Sequence, residues 1–100
     1  MIKPSIGRVI WFWPGSYDTE LGNFHDKSQP LAAIVAYVWS DTLVNLAVFD
    51  PNGVSHNRTS VNLWQGDGER PKEFFAEWMP YQIGQAAKVE ALEKQPGETA

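Results

Sequence analysis

The sequence predicts an all-β fold: a small five-stranded sheet that curls on itself or closes into an SH3-like or OB-like barrel, with a short C-terminal helix. Three observations predict it. β-branched and aromatic residues occur in short runs that fit a pleated, packed surface better than a helix. Turn formers punctuate the chain at close spacing, at Pro14-Gly15, Ser40-Asp41-Thr42, Asp50-Pro51-Asn52-Gly53 and again between Gly66 and Pro71. And 100 residues suffice for one domain with one core. A short sheet in such a domain loses its unpaired edges by closing. A flat five-stranded meander backed by the helix is the alternative.

Taken in order, residues 7–13 read as the first strand, with Arg8, Ile10 and Phe12 on one face and Val9, Trp11 and Trp13 on the other. Pro14-Gly15 ends it. Residues 15–30 form a polar loop that is long for a compact domain, and such loops are usually functional or mobile. Residues 31–39 are apolar on both faces, as in a central strand covered on both sides. After the polar break at 40–42, residues 44–49 alternate again. Asp50-Pro51-Asn52-Gly53 is a strong turn signal, since proline fixes one turn position and Asn-Gly tolerates positive φ. Residues 54–63 then pair back as a hairpin. A second loop spans 64–72, and residues 73–82 read as a last strand that Pro80 places at an edge or ends. From Gly84 a short helix with a thin apolar face (Ala86, Val89, Leu92) runs to Pro96-Gly97. The division expected is a barrel over 1–83 and a helix with a flexible tail over 84–100.

Composition narrows the function classes. Eight Lys+Arg against 12 Asp+Glu give a formal net charge of −4, with the basic residues scattered singly. A duplex binder needs a basic face, and a single-strand binder a basic groove, so nucleic acid is disfavoured. With no cysteine there is no disulfide, thiolate metal site or thiol nucleophile, which fits a reducing cytoplasm. The longest apolar run, 31–39, is about half the length that spans a bilayer. The first residues, MIKPSIGR, lack the apolar core of a signal peptide. A cytoplasmic, non-membrane protein is expected.

No catalytic constellation stands out, and neither an enzyme nor a cofactor is expected. His25 and His56 are the only histidines, and their spacing to Asp18, Glu20 and Asp26 matches no standard metal pattern. Ser60 lacks a nucleophile-elbow context. Gly66-Asp67-Gly68 has no following Lys-Ser/Thr and reads as a turn. Glu73 and Glu77 do not form a plausible catalytic pair. The more informative stretch is the polar strand 55–60, SHNRTS, which alternates His56, Arg58 and Ser60 with Ser55, Asn57 and Thr59. An arginine beside hydroxyls often holds a phosphate or carboxylate through its fork of donors. The plainer reading is an edge strand with Arg58 paired to Asp41 or Asp50. The aromatics divide similarly. Trp39, Phe49 and Phe75 are assigned to the core, whereas Trp11, Trp13, Trp64, Trp78 and Tyr81 fall near strand ends or loops. There a ring can stack on a base or line an interface. The candidate ligand-binding set is Arg58, Thr59, Ser60, His56, Asn45, Trp11, Trp13, Trp78 and Tyr81.

Several blocks carry a resemblance: GRVIW at 7–11, LAAIV at 31–35, VNLAVFD at 44–50, RTSV at 58–61, EWMPYQ at 77–82 and GQAAK at 84–88. Together they resemble a family of small, mostly uncharacterised phage and prophage proteins. The resemblance implies a phage origin and an intracellular setting, and it brings no catalytic residues. Two functional expectations follow. The first is a non-enzymatic protein that binds a small phosphorylated molecule, such as a cyclic or ADP-ribose-type nucleotide, and so sequesters a signal of host antiviral defence. Its basis is analogy of origin and size. The alternative is a homo-oligomeric adaptor that binds a host or phage protein through a Trp-rich face. A homo-oligomer is expected on either reading, because five Trp and five Phe are more than one small core covers comfortably.

Overall fold

In the computed structural model residues 1–22 and 26–93 are described, with side chains through residue 89. Five strands, β1 (Val9–Trp13), β2 (Leu31–Ser40), β3 (Leu43–Phe49), β4 (Ser55–Trp64) and β5 (Phe75–Glu77), precede one helix, α1 (Pro80–Glu93). They close into a barrel in sequential order. Every pairing is antiparallel except β4 with β5, and β5 returns to β1 to complete the ring. Sequential order lacks the Greek-key crossing that defines an OB fold.

Alternation fills the barrel. Ile10 and Phe12 of β1, Leu31, Ala33 and Val35 of β2, Val44, Leu46 and Val48 of β3, Val61 and Leu63 of β4 and Ala76 of β5 all point inward and are buried. Leu21, from the loop after β1, and Trp78, just after β5, complete the same cluster. Burying a side chain of this size stabilises the fold by about 2 kcal/mol relative to leaving it exposed.

Three expectations are corrected. β2 is buried on one face only: Ala32, Ala36, Tyr37 and Trp39 are exposed, and Trp39, assigned to the core, is 58% exposed. A closed barrel has a single interior, and nothing among the described residues covers the outside of this strand. A register shift between Val35 and Tyr37 also breaks the alternation that joined Tyr37 and Trp39 to the inner face. Phe49 is half-buried on the outer side, while Phe75 is buried, stacked on Trp13 with Arg70 over its ring. Second, the last strand is only Phe75–Glu77. Third, the helix starts at Pro80 rather than Gly84, because Pro80 takes the first helical position, where its missing N–H costs nothing. Gln82 accepts the Met79 N–H (2.7 Å), capping the helix from its third position, and donates to the Val9 carbonyl (2.9 Å). Among the described residues Gln82 is the one buried polar side chain, and it fastens the first turn of α1 to β1. Beyond that turn the helix is largely exposed, Val89 included. Pro96-Gly97, the expected stop, and the tail lie outside the described residues.

Candidate functional site

On β4 the strand period turns His56 and Arg58 inward, opposite Val48 and Leu46 of β3. They therefore sit at one mouth of the barrel, where water is partly excluded and polar groups need partners. The loop after β1 supplies them. Arg58 donates from Nε to Asp18 Oδ2 (2.9 Å) and from Nη2 to Asp18 Oδ1 (2.8 Å), a two-point fork. Its Nη2 also lies 3.2 Å from Glu20, and Nη1 donates to the Asn57 carbonyl at 2.6 Å. Asp18 Oδ1 accepts the N–H groups of Glu20 (3.2 Å) and Leu21 (3.0 Å), so one carboxylate organises its own turn and holds the arginine. The turn closes with a bond from the Gly22 N–H to the Asp18 carbonyl. A Cβ on Gly22 would stand 2.4 Å from that oxygen, which only glycine avoids. The result is a strap over the mouth, with the side chain of Leu21 wholly buried beneath it.

His56 is placed between two carboxylates. Its Nε2 is 2.9 Å from Asp50 and its Nδ1 3.4 Å from Glu20. Asp50 also accepts the N–H groups of Asn52 and Val54, so it is fixed by the β3–β4 turn. The hydrogen bond from His56 holds the Asp50 carboxyl below its ordinary value, and that to Asp50 raises the imidazole. Burial pushes Asp18 upward, but the bonds from Arg58 and from the Leu21 N–H outweigh it and leave the carboxyl lowered. Asp18 in turn raises the guanidinium further above its already high value.

The expected ligand residues are not gathered in one place. The predicted partners of Arg58, Asp41 or Asp50, are replaced by Asp18 and Glu20, and Asp50 takes His56 instead. Thr59 and Ser60 are exposed on the far side of the strand from Arg58, where Ser60 adopts φ +53° at a bulge. Asn45 belongs to that outer side too. Its Oδ1 accepts the Ser60 N–H (2.8 Å) and the Trp39 indole N–H (3.0 Å). Trp11 and Trp13 are half-buried on the outside of β1, with the Trp13 indole donating to Glu77. Trp78 is buried at the opposite mouth, its N–H on Gln65 and Arg8 over its ring. Tyr81 is exposed on α1. Among the described residues no cluster of metal-ligating groups forms; His25 lies outside them. No described helix is long and apolar enough to cross a membrane.

The outer face of β2, β3 and β4 is the feature that sequence reading missed. β2 and β3 contain no charged residue, and the only basic side chains of β4, His56 and Arg58, point to the interior. What faces outward is Ile34 beside Ala47 beside Asn57, Tyr37 beside Asn45, and Leu43 beside Asn62. Tyr37 (48% exposed) meets Trp39 edge-on, with ring centroids 4.8 Å apart. Asn45 fixes the indole from below. The absence of Lys, Arg, Asp and Glu from β2 and β3, and of all but Arg58 from β4, was the available signal. The chain matches no family model, no curated protein and no solved structure.

Proposed function

We propose that this chain is a non-enzymatic interaction module of phage origin that acts in the host cytoplasm as a homo-oligomeric adaptor. The uncharged outer face of β2, β3 and β4 is its self-association surface. The reading rests on an exposed aromatic pair, Tyr37 and Trp39, pinned by Asn45 in a sheet face without a formal charge. Interface cores are depleted in charge and enriched in Tyr and Trp, and a side chain already fixed loses little entropy on docking. The occupant is a second copy. Each chain carries −4 overall, so two copies repel least when they meet across a face that carries no charge. The small phosphorylated ligand is the weaker reading, because the Arg58 fork is filled by Asp18 and an anion must displace it.

Sedimentation equilibrium at micromolar concentration tests the proposal. The expected result is a dimer for the native chain and a monomer for Trp39→Lys, with the same melting temperature at monomer-forming dilution. A native chain at monomer mass overturns the proposal. A cyclic or ADP-ribose-type nucleotide that raises the melting temperature of the native protein but not of Arg58→Lys would restore the ligand reading.

A further inference from the structure

The strap at residues 16–22 is held, besides the bonds from Ser16 to Glu73, by ion pairs of unequal permanence. Arg58 to Asp18 is a bidentate pair between groups that stay ionised across the physiological range. His56 to Glu20 is not. A histidine lying between two carboxylates donates to both only when both ring nitrogens carry a proton. Here Asp50 is at 2.9 Å and is fixed by two turn N–H groups, while Glu20 is at 3.4 Å with a side chain 61% exposed. When the ring gives up one proton, the remaining one belongs on Nε2, facing Asp50. Nδ1 then presents a lone pair to the Glu20 carboxylate, acceptor against acceptor.

We propose that His56 is a pH-operated latch: with both nitrogens protonated it shares Glu20 with Arg58 and tightens the strap over the barrel mouth, and with one proton lost it leaves Glu20 to Arg58 and loosens the strap. The described charged groups around the ring are Asp50 at the end of β3, Glu20 and Asp18 on the strap, and Arg58 on its own strand. The bond to Asp50, joined by Glu20, more than offsets the burial that opposes the second proton. The sign follows from the environment. Because Asp50 and Glu20 raise the imidazole, latch stabilisation is complete below the ordinary histidine range and is lost as pH rises through the raised value. Asp18 and Asp50 are both lowered, so these two carboxylates stay ionised well into mild acid. The latch is therefore closed at mildly acid pH and opens on the alkaline side, where Arg58, through Asp18 and Glu20, and Ser16 on Glu73 retain the strap.

The Leu21 N–H, bonded to Asp18 within the strap, reports the latch directly. Amide exchange there, expressed as a protection factor, is to be compared at about pH 6 and about pH 9. All proteins carry His25→Gln, which leaves His56 as the only imidazole. The expected result is a fall of about threefold, the size that a half-exposed ion pair supports. In Glu20→Gln the amide can donate to a neutral Nδ1, and the fall disappears. An unchanged protection factor in the native strap, or an equal fall in Glu20→Gln, overturns the latch. Imidazole nitrogen shifts give a second reading. The neutral ring must carry its proton on Nε2, and a proton on Nδ1 also overturns the proposal.

Discussion

The two mouths of the barrel are closed by opposite chemistry. At one, a strap is tied down by ions: Asp18 and Glu20 on Arg58, Glu20 and Asp50 on His56. At the other, where Arg8 lies over the Trp78 ring, the hydrogen-bonded ties are those of neutral amides. Gln65 uses every bond it has, accepting from the Ile2 N–H and the Trp78 indole and donating to the carbonyls of Ile2 and Asp41. Gln82 joins α1 to β1 in the same way. An amide hub holds its geometry at any pH and any ionic strength. An ionic strap answers to both, so only the Arg58 mouth is adjustable.

The comparison can be broken most forcefully at Trp78. Trp78→Ala should cost about 4 kcal/mol of unfolding free energy in urea, with the same loss at low and high salt. A salt-dependent loss would show that this mouth is not neutral. Leu21→Ala, beneath the strap, should cost about 3 kcal/mol, because a wholly buried leucine leaves a cavity. A near-zero cost would mean that the strap lies on the barrel without filling it. Arg58→Ala should cost about 2 kcal/mol at neutral pH by leaving Asp18 unpaired, and Arg58→Lys should recover part, since a point charge cannot reproduce the fork. The Asp18 carboxyl is lowered on folding, so its contribution is present above the unfolded value of about 3.9 and fades as pH falls through the folded one. The gap between native and Arg58→Ala stability should therefore narrow in acid, and urea midpoints across that range would check it. Smallest is Gly53→Val. Gly53 holds φ +85° in the turn beside Asp50, so the cost should be about 1 kcal/mol, read as a lower melting temperature without altered salt dependence.

Much of the barrel was legible because its signals are local. Alternation in 7–13 and 44–49 and the turn at 50–53 place β1, β3 and the β3–β4 hairpin close to where they fall. The strap was not legible, because Asp18 and Arg58 meet across 40 positions and no spacing rule connects them. Arg58 and His56 stood out as polar residues in an apolar setting, but the strand period says nothing of what lies over the mouth. The bulge at Ser60 could not be read either, and it removes Ser60 from the face of Arg58. Trp39 was misplaced for a related reason: a run apolar on both faces implies two coverings, and a closed barrel offers one. Pro80 was readable in principle. Proline followed two residues later by glutamine is a helix start, and the alternation of Phe74 through Met79 masked it.

Closure of the ring through β1 and β5 has a kinetic consequence. Trp13 and Glu77 meet across 64 positions, whereas β2, β3 and β4 are joined by tight turns. Bringing distant segments together costs chain entropy before any contact rewards it, so the three-stranded meander should form the folding nucleus and the ring should seal last. Substitutions in the 50–53 turn should then slow folding, and substitutions at the β1–β5 seam should chiefly hasten unfolding. The seam would be where this barrel first comes apart.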